Sequence, residues 1–322
     1  MPAITVVHHG QLTAKAAADG LKVWERADPG SPWSADFQWT LPELVAISHS
    51  DRLSRRDAFI AYRGDTPVGM AKVILPLLDN QHLMELQMRA APDDIDVLDA
   101  LWRGVDNLRK DTARTTVNCV ALQGLTGTIN WLRSHGFNRV HEEIISTLVL
   151  DDAAEPTTSS DYELVSFEGA TPENLVEPMC RLRERMSTDA PIGEADVEPE
   201  VWDVDRIKAW EAKIAAGGFA VFTAVALRRA TGEAVAYTTL ETSLEGREFA
   251  YQDGTLVRKE DRGHGLGRAV KLENIRLLQR NYPSVSRIHT WNAVDNHWML
   301  AINRDLGFEE TDRLHSWQWR QN

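Results

Sequence analysis

The chain repeats its own outline, and that repetition most limits what it can fold into. Phe59 to Arg63 (FIAYR) and Gly69 to Leu75 (GMAKVIL) flank a turn at Asp65-Thr66-Pro67, and Ala220 to Leu227 (AVFTAVAL) and Ala234 to Thr242 (AVAYTTLET) flank Thr231-Gly232. β-Branched and aromatic runs bounded by Gly, Pro and Asp read as strands joined by tight turns. Each half then continues with a helix, a strand and a second helix. The first has 97–110, 116–122 and 126–134 before Gly136-Phe137; the second has 267–280, 287–291 and 296–305 before Gly307-Phe308. A glycine just past the last helical turn supplies a left-handed C-cap. The pattern predicts a tandem duplication of one α/β unit.

The break between the copies is Asp151 to Asp161 (DDAAEPTTSSD), a polar stretch with Pro156 that follows the strand-like Ile144 to Leu150. Small polar residues with proline make a linker. The expected organisation is a first domain over 1–150, a linker over 151–161 and a second domain over 162–322. A length of 322 residues with 43% hydrophobic content supports two cores.

The 48 acidic and 35 basic residues leave a formal charge of −13. That surface repels phosphodiesters, so nucleic acid is not an expected partner, whereas a cationic small molecule is compatible. No apolar run approaches the ~20 residues of a membrane span. Met1 to Gly10 lacks the basic start and apolar run of a signal peptide. The expected location is the cytoplasm, as a monomer or homodimer without a membrane partner. Cys119 and Cys180 read as reduced packing thiols. No His, Cys or carboxylate spacing of the HExxH kind is present, and no metal is expected.

The segment richest in chemistry is Phe249 to Lys271, FAYQDGTLVRKEDRGHGLGRAVK. A strand to Val257 and a charged turn lead to Arg262-Gly263-His264-Gly265-Leu266-Gly267 at a helix start. The first N–H groups of a helix lack internal partners, and the helix dipole favours an anion there. Glycines permit positive φ and a close approach of the backbone. Arg262, Arg268 and Lys271 can add charge beside such a site. The GxGxG spacing, late in its domain, departs from the GxGxxG of a dinucleotide fold, and no GK followed by Ser or Thr marks a P-loop.

Arg262 to Gly267 resembles the acyl-CoA loop of the GNAT acyltransferase superfamily, and Leu256-Val257 resembles the strand that hydrogen-bonds the pantetheine arm. Asn292, Asn296 and Leu306-Gly307-Phe308 resemble the family's second signature. The tandem arrangement looks like the mycothiol-synthase-like branch. The resemblance implies two GNAT-like α/β (α+β) domains, each a mixed, mostly antiparallel twisted sheet flanked by helices. It implies acetyl-CoA, or another acyl-CoA, as acyl donor. It implies an N-acetyltransferase in which an amine attacks the thioester directly, and Leu256, Val257, Arg262, Gly263, His264, Gly265, Leu266, Gly267, Arg268, Asn292 and Asn296 as donor-binding residues. Asp253 falls where many relatives carry the general base, with Tyr251 beside it and Glu241 on the preceding strand as a rival. The family's usual tyrosine acid is replaced by Asn303, which has no dissociable proton.

In the first half the counterpart loop has no glycine, and Pro92, Asp93 and Asp94 stand at the turn. Carboxylates there would repel a pyrophosphate, so a degenerate copy is expected. The acidic stretch Glu194 to Asp205 is expected to cover the acceptor side of the second domain and to attract a small cationic amine. His289 and His297 read as surface or packing residues, while Trp202, Trp210, Trp291 and Trp298 are pocket candidates. An acyl-CoA-binding sensory module without transfer and a protein N-acetyltransferase are the alternative functions.

Overall fold

The computed structural model describes residues 2–90, 94–150, 155–156 and 158–321. Pro92, Asp93 and the start of the expected linker lie outside them. The chain divides into two compact units, Met1–Glu143 with Ile192–Glu198 and Thr311–Asn322, and Ile144–Pro191 with Pro199–Glu310.

The first unit opens with β1 (Ile4–His9), α1 (Ala14–Arg26), α2 (Leu41–Ile47), β2 (Ser54–Arg63), β3 (Thr66–Pro76) and β4 (Leu83–Ala90). It continues with α3 (Ile95–Asp111), β5 (Thr116–Leu122) and α4 (Thr126–Ser134). Helix starts follow their capping residues: Thr13 accepts from the Ala16 amide, and Thr40 with Glu43 forms a capping box on α2. β1 to β4 pair antiparallel in order, and β4 then pairs parallel with β5 over Leu83 to Leu86. The α3 side buries Leu98, Leu101 and Val105 against Met84, Leu86 and Val117. The α1 and α2 side buries Val23 and Leu44 against Ile60 and Met70.

After β6 (Asn138–Val149), the second unit repeats the scheme: β7 (Tyr162–Glu168), α5 (Glu173–Asp189), α6 (Val204–Ala216), β8 (Phe219–Arg228), β9 (Ala234–Ser243) and β10 (Phe249–Val257). Then come α7 (Leu266–Asn281), β11 (Arg287–Ala293), α8 (His297–Asp305) and the last strand, β12 (Glu309–Arg320). Its sheet order is β6-β11-β10-β9-β8-β7. Helix α7 buries Ile275 and Leu278 against Phe222, Leu240, Ala250 and Ile288. The opposite face buries Leu175, Met179 and Leu182 of α5 against Val225, Tyr237 and Leu256.

The compact units depart from a simple division at the linker. The strand ending the first half, β6, contributes Ile144 onward to the second unit, beside β11. The strand ending the second half, β12, pairs antiparallel with β5 of the first unit, Leu314 opposite Leu122 through Arg320 opposite Thr116. Each half therefore supplies the strand that completes the other half's sheet. Residues Ile192–Glu198 also join the first unit. There the Thr116 hydroxyl donates to Asp196 at 3.1 Å and the Asn80 amide donates to Glu198 at 2.9 Å. Glu194, Asp196 and Glu198, expected over the second domain's acceptor site, are thus committed to the first unit.

Trp317 of β12 is buried in the first unit's core at 3% exposure. Trp317→Ala is expected to cost about 3–5 kcal/mol. Hydrogen exchange should place the loss of protection in β2 to β5. Loss confined to β8 to β11 would contradict the assignment of β12 to the first unit.

Candidate active site

The site of the second unit begins with an irregularity in β10. Against β9, Tyr251 lies opposite Glu241 and Gln252 opposite Leu240, but Thr255 lies opposite Thr238, so one extra residue bulges at Asp253-Gly254. On its other edge β10 pairs with β11 only from Phe249 to Gln252, opposite Arg287 to Thr290. Past Gln252 the two strands part. A bulge bends its strand and strengthens local twist, which re-aims the backbone beyond it. Leu256 and Val257 therefore continue beside β9 with no strand paired on the β11 side.

The arm of the fork leads into a short 3₁₀ turn, Lys259–Asp261, and the start of α7. Gly265 caps α7 in the left-handed region at φ +71°, and a Cβ there would meet nothing within 4 Å. The requirement is conformational, and the loop's outer surface stays open. Gly267 has a different reason, because a Cβ would come within 2.9 Å of Ile302 on α8. Leu266 is buried at the core, while His264 is exposed with its ring 5.5 Å from that of Tyr162. The α7 cap residue makes no side-chain hydrogen bond, so the helix's first amides remain open to an anion.

The basic residues of the segment separate. Arg262 donates to Val257 O at 3.2 Å and to Asp189 at 3.3 Å, and Arg268 pairs with Asp305 at 2.6 Å. Both are exposed enough to exchange these acids for a phosphate. Lys271, expected beside the loop, is instead buried at 1% exposure and donates to Asn303 at 2.9 Å. It lies one helical turn past Gly267 on the core-facing side of α7. Asn303 in turn donates to Asn292 at 2.6 Å. Asn296 accepts from the Met299 amide at 3.3 Å as the N-cap of α8. Its side chain is thereby engaged in the helix start and not in the loop.

The opposite face carries the carboxylates. Asp253 is exposed at the bulge and accepts from the Thr239 hydroxyl at 3.3 Å. Glu241 is half-buried, and burial, with the charge of Asp253 second, pushes its carboxyl up to about 8. Arg183 and Lys213 act in the opposite sense. Tyr251 is half-buried with its ring 5.6 Å from Trp291. The Arg183 guanidinium lies 3.9 Å from the Trp210 ring and 4.9 Å from Trp202, so those tryptophans wall a cation, a role their sequence positions did not reveal. His289 is buried against Thr147 at 2.9 Å, and Trp298 is 83% exposed. Both cysteines are free, and burial pushes the Cys119 thiol up to about 12.

The first unit has the same parting of strands, since β4 runs on to Ala90 after its last pair with β5 at Leu86. Its helix start is closed differently. Asp94 caps α3, accepting from the Val97 amide, and pairs with Arg63 at 2.8 Å. A carboxylate thus occupies the end where α7 is open.

The fold of the chain is that of a tandem GNAT protein. It superposes on a tandem GNAT protein from the clavulanic acid biosynthesis pathway with a TM-score of 0.82 and 22% identity, over 99% of this chain and 98% of that one. A GCN5-related N-acetyltransferase from Sphaerobacter thermophilus gives a TM-score of 0.72 at 13% identity, over 98% and 95%. A putative acetyltransferase from Pyrococcus horikoshii gives 0.59 at 10%, over 98% and 90%. No protein-family profile and no curated protein sequence matches the chain. Among the described residues no helix is long and apolar enough to cross a membrane.

The raised carboxyl of Glu241 has a consequence for stability. Unfolded, it ionises near the ordinary glutamate value of 4.5; folded, it keeps its proton to about 8. Its contribution is therefore most favourable below 4.5 and is lost progressively as pH rises toward 8. Relative to wild type, Glu241→Gln should become more stable over that window in chemical denaturation. A difference independent of pH would contradict the raised value.

Proposed function

We propose that the second unit transfers an acetyl or related acyl group from acyl-CoA to the primary amine of a small cationic acceptor. The observation that carries this reading is the fork between β10 and β11 opening beside the start of α7, which has no side-chain cap, with Asp253 at the bulge and Glu241 on the neighbouring strand. Fold neighbours described as N-acetyltransferases support it. The Gly263 to Gly267 amides with Arg262 and Arg268 would hold the donor's phosphates. The edge at Leu256 and Val257, where β11 has parted and Val257 O accepts from the Arg262 side chain, would pair with its amide-bearing arm, and Asn292 stands at the fork. The donor supplies an activated thioester, and the chain supplies position, a base and exclusion of water.

An amine reaches the site protonated and attacks only after losing that proton. Asp253 and Glu241 are the groups that can take it, with Tyr251 opposite Glu241 across the strands. The preference for a cation rests on Asp253, and on Glu241 once it has lost its proton, against Arg183 and Lys213 on the same face. This support replaces the Glu194 to Glu198 stretch. The cytoplasm remains the proposed location. A second reading, donor binding without transfer, is favoured by Asn303, which has no proton to give.

Removing the base should lower turnover roughly 10²–10⁴-fold. That loss is expected for Asp253→Asn and for Glu241→Gln, measured by thiol release with a panel of amines, while CoA affinity stays near wild type. The rise of the wild-type rate with pH that follows loss of the Glu241 proton, held up to about 8, should be absent from Glu241→Gln. A fully active Asp253→Asn protein would remove Asp253 from the role.

The loop is tested separately. Gly265→Val forces a β-branched residue into the left-handed region, at about 1–2 kcal/mol, and should weaken CoA binding by roughly tenfold or more. Unchanged affinity would place the donor elsewhere.

A further inference from the structure

Lys271 sits in the core-facing row of α7 at 1% exposure. Its Nζ donates one hydrogen bond, to Asn303 at 2.9 Å, and lies 5.4 Å from the Phe308 ring. Among the described residues no carboxylate pairs with it. The titratable groups nearest along α7 and α8 are engaged elsewhere: Arg268 with Asp305, and Glu273 with the Ser166 hydroxyl. The polar strand residues on this face, Thr238, Gln252 and Thr290, carry no charge. An unpaired buried ammonium is among the costlier groups a core can hold, and burial alone pushes this one down to about 7.

The contact has a directional consequence. As an ammonium Lys271 only donates, so the Asn303 oxygen faces it and the amide nitrogen faces away. That nitrogen donates to Asn292 Oδ1 at 2.6 Å. Asn292 lies on β11 beyond Thr290, the last residue paired with β10, and so stands where the strands have parted. The bond to Asn292 uses one N–H of Asn303, and the second N–H of the same nitrogen is left beside Asn292. Two buried acceptors of the same polar layer, Gln252 Oε1 and Asn274 Oδ1, have no partner. Both side chains donate to Thr238, Gln252 to its hydroxyl at 2.8 Å and Asn274 to its carbonyl at 3.4 Å. A core that tolerates a lone ammonium and orphaned acceptors around one opening carries a cost that packing does not explain.

We infer that Lys271 is a positioning residue for the departing sulfur: it locks and polarises the Asn303 amide, whose remaining N–H donates to the thioester sulfur as the acyl group leaves. This rests on the acyltransferase reading. In the step, the acceptor nitrogen forms the C–N bond, and the C–S bond breaks with its electron pair kept by sulfur. The acceptor nitrogen gives up two protons, one before attack and one after the C–N bond forms, and the Asp253 and Glu241 carboxylates take one each. The thiolate leaves as an anion, so Asn303 has no proton to supply. A fixed donor backed by a cation in a dry interior stabilises that charge without reorganising.

The test is Lys271→Met in the full chain, read three ways. First, thiol release from acetyl-CoA with an amine substrate should show kcat lowered roughly 10–100-fold, with amine KM and CoA affinity within about twofold. Second, the wild-type rate should pass through a maximum between about 7 and 8, rising as Glu241 loses its proton and falling as the ammonium is lost, and the variant should keep the rise without the fall. Third, the ligand-free variant should melt at a higher temperature than wild type. That gain should be larger at pH 7 than near pH 10.5, because the depressed lysine weakens the fold increasingly as pH falls from 10.5 toward about 7. A variant with wild-type kcat and pH profile overturns the inference, and so does one that melts lower and loses CoA affinity in parallel. A wild-type chain that binds CoA but releases no thiol with any amine overturns the acyltransferase reading and this role with it. An active wild type with an indifferent variant overturns the role alone.

Discussion

The second unit's chemistry depends on one interruption of backbone pairing, the bulge at Asp253-Gly254. Up to Gln252, β10 is hydrogen-bonded on both edges; past it, only β9 remains. Unpaired backbone groups in a sheet interior are costly unless something else pairs with them. The fork is therefore a local weakness, and an edge that the proposed donor's arm would satisfy. The same bulge presents Asp253 on the face that holds Glu241 and Tyr251, while the polar layer of Lys271, Asn303 and Asn292 lies on the α7 side. One extra residue thus places a donor edge between a carboxylate face and an amide-lined opening.

The first unit shows that the fork alone does not make a site. Its strands part after Leu86, yet Asp94 closes the following helix and is neutralised by Arg63. The cap that stabilises α3 removes the anion-binding property that α7 keeps by beginning on Gly265. The two copies thus divide a single physical resource, the unsatisfied amides of a helix start, between a side-chain cap in one and the proposed donor site in the other.

The parts legible from sequence were those fixed by local backbone chemistry. The Gly263 to Gly267 loop, the Gly136-Phe137 and Gly307-Phe308 closures and the strand pairs flanking short turns all follow from residues close in the chain. The exchange of β6 and β12 was not legible, because alternating apolar residues mark a strand without naming its neighbour. The loop Ile192–Glu198 reads as an acidic face until Thr116 and Asn80 are brought to it by folding. Lys271 looks like one more base beside a phosphate loop; only the helix phase and the neighbouring Asn303 turn it inward. Glu241 gains its unusual proton affinity from burial and from Asp253, an interaction set by the strand register. Asn296 is the exception, since an asparagine ahead of a helix is itself a capping signal.

The central claim is that acyl-CoA binds once per chain, in the fork and loop of the second unit. Titration of the full chain with CoA by calorimetry measures this directly. The account predicts one site per chain. Two equivalent sites would show that Asp94 does not close the first unit, and the absence of binding would show that the open start of α7 is not a donor site.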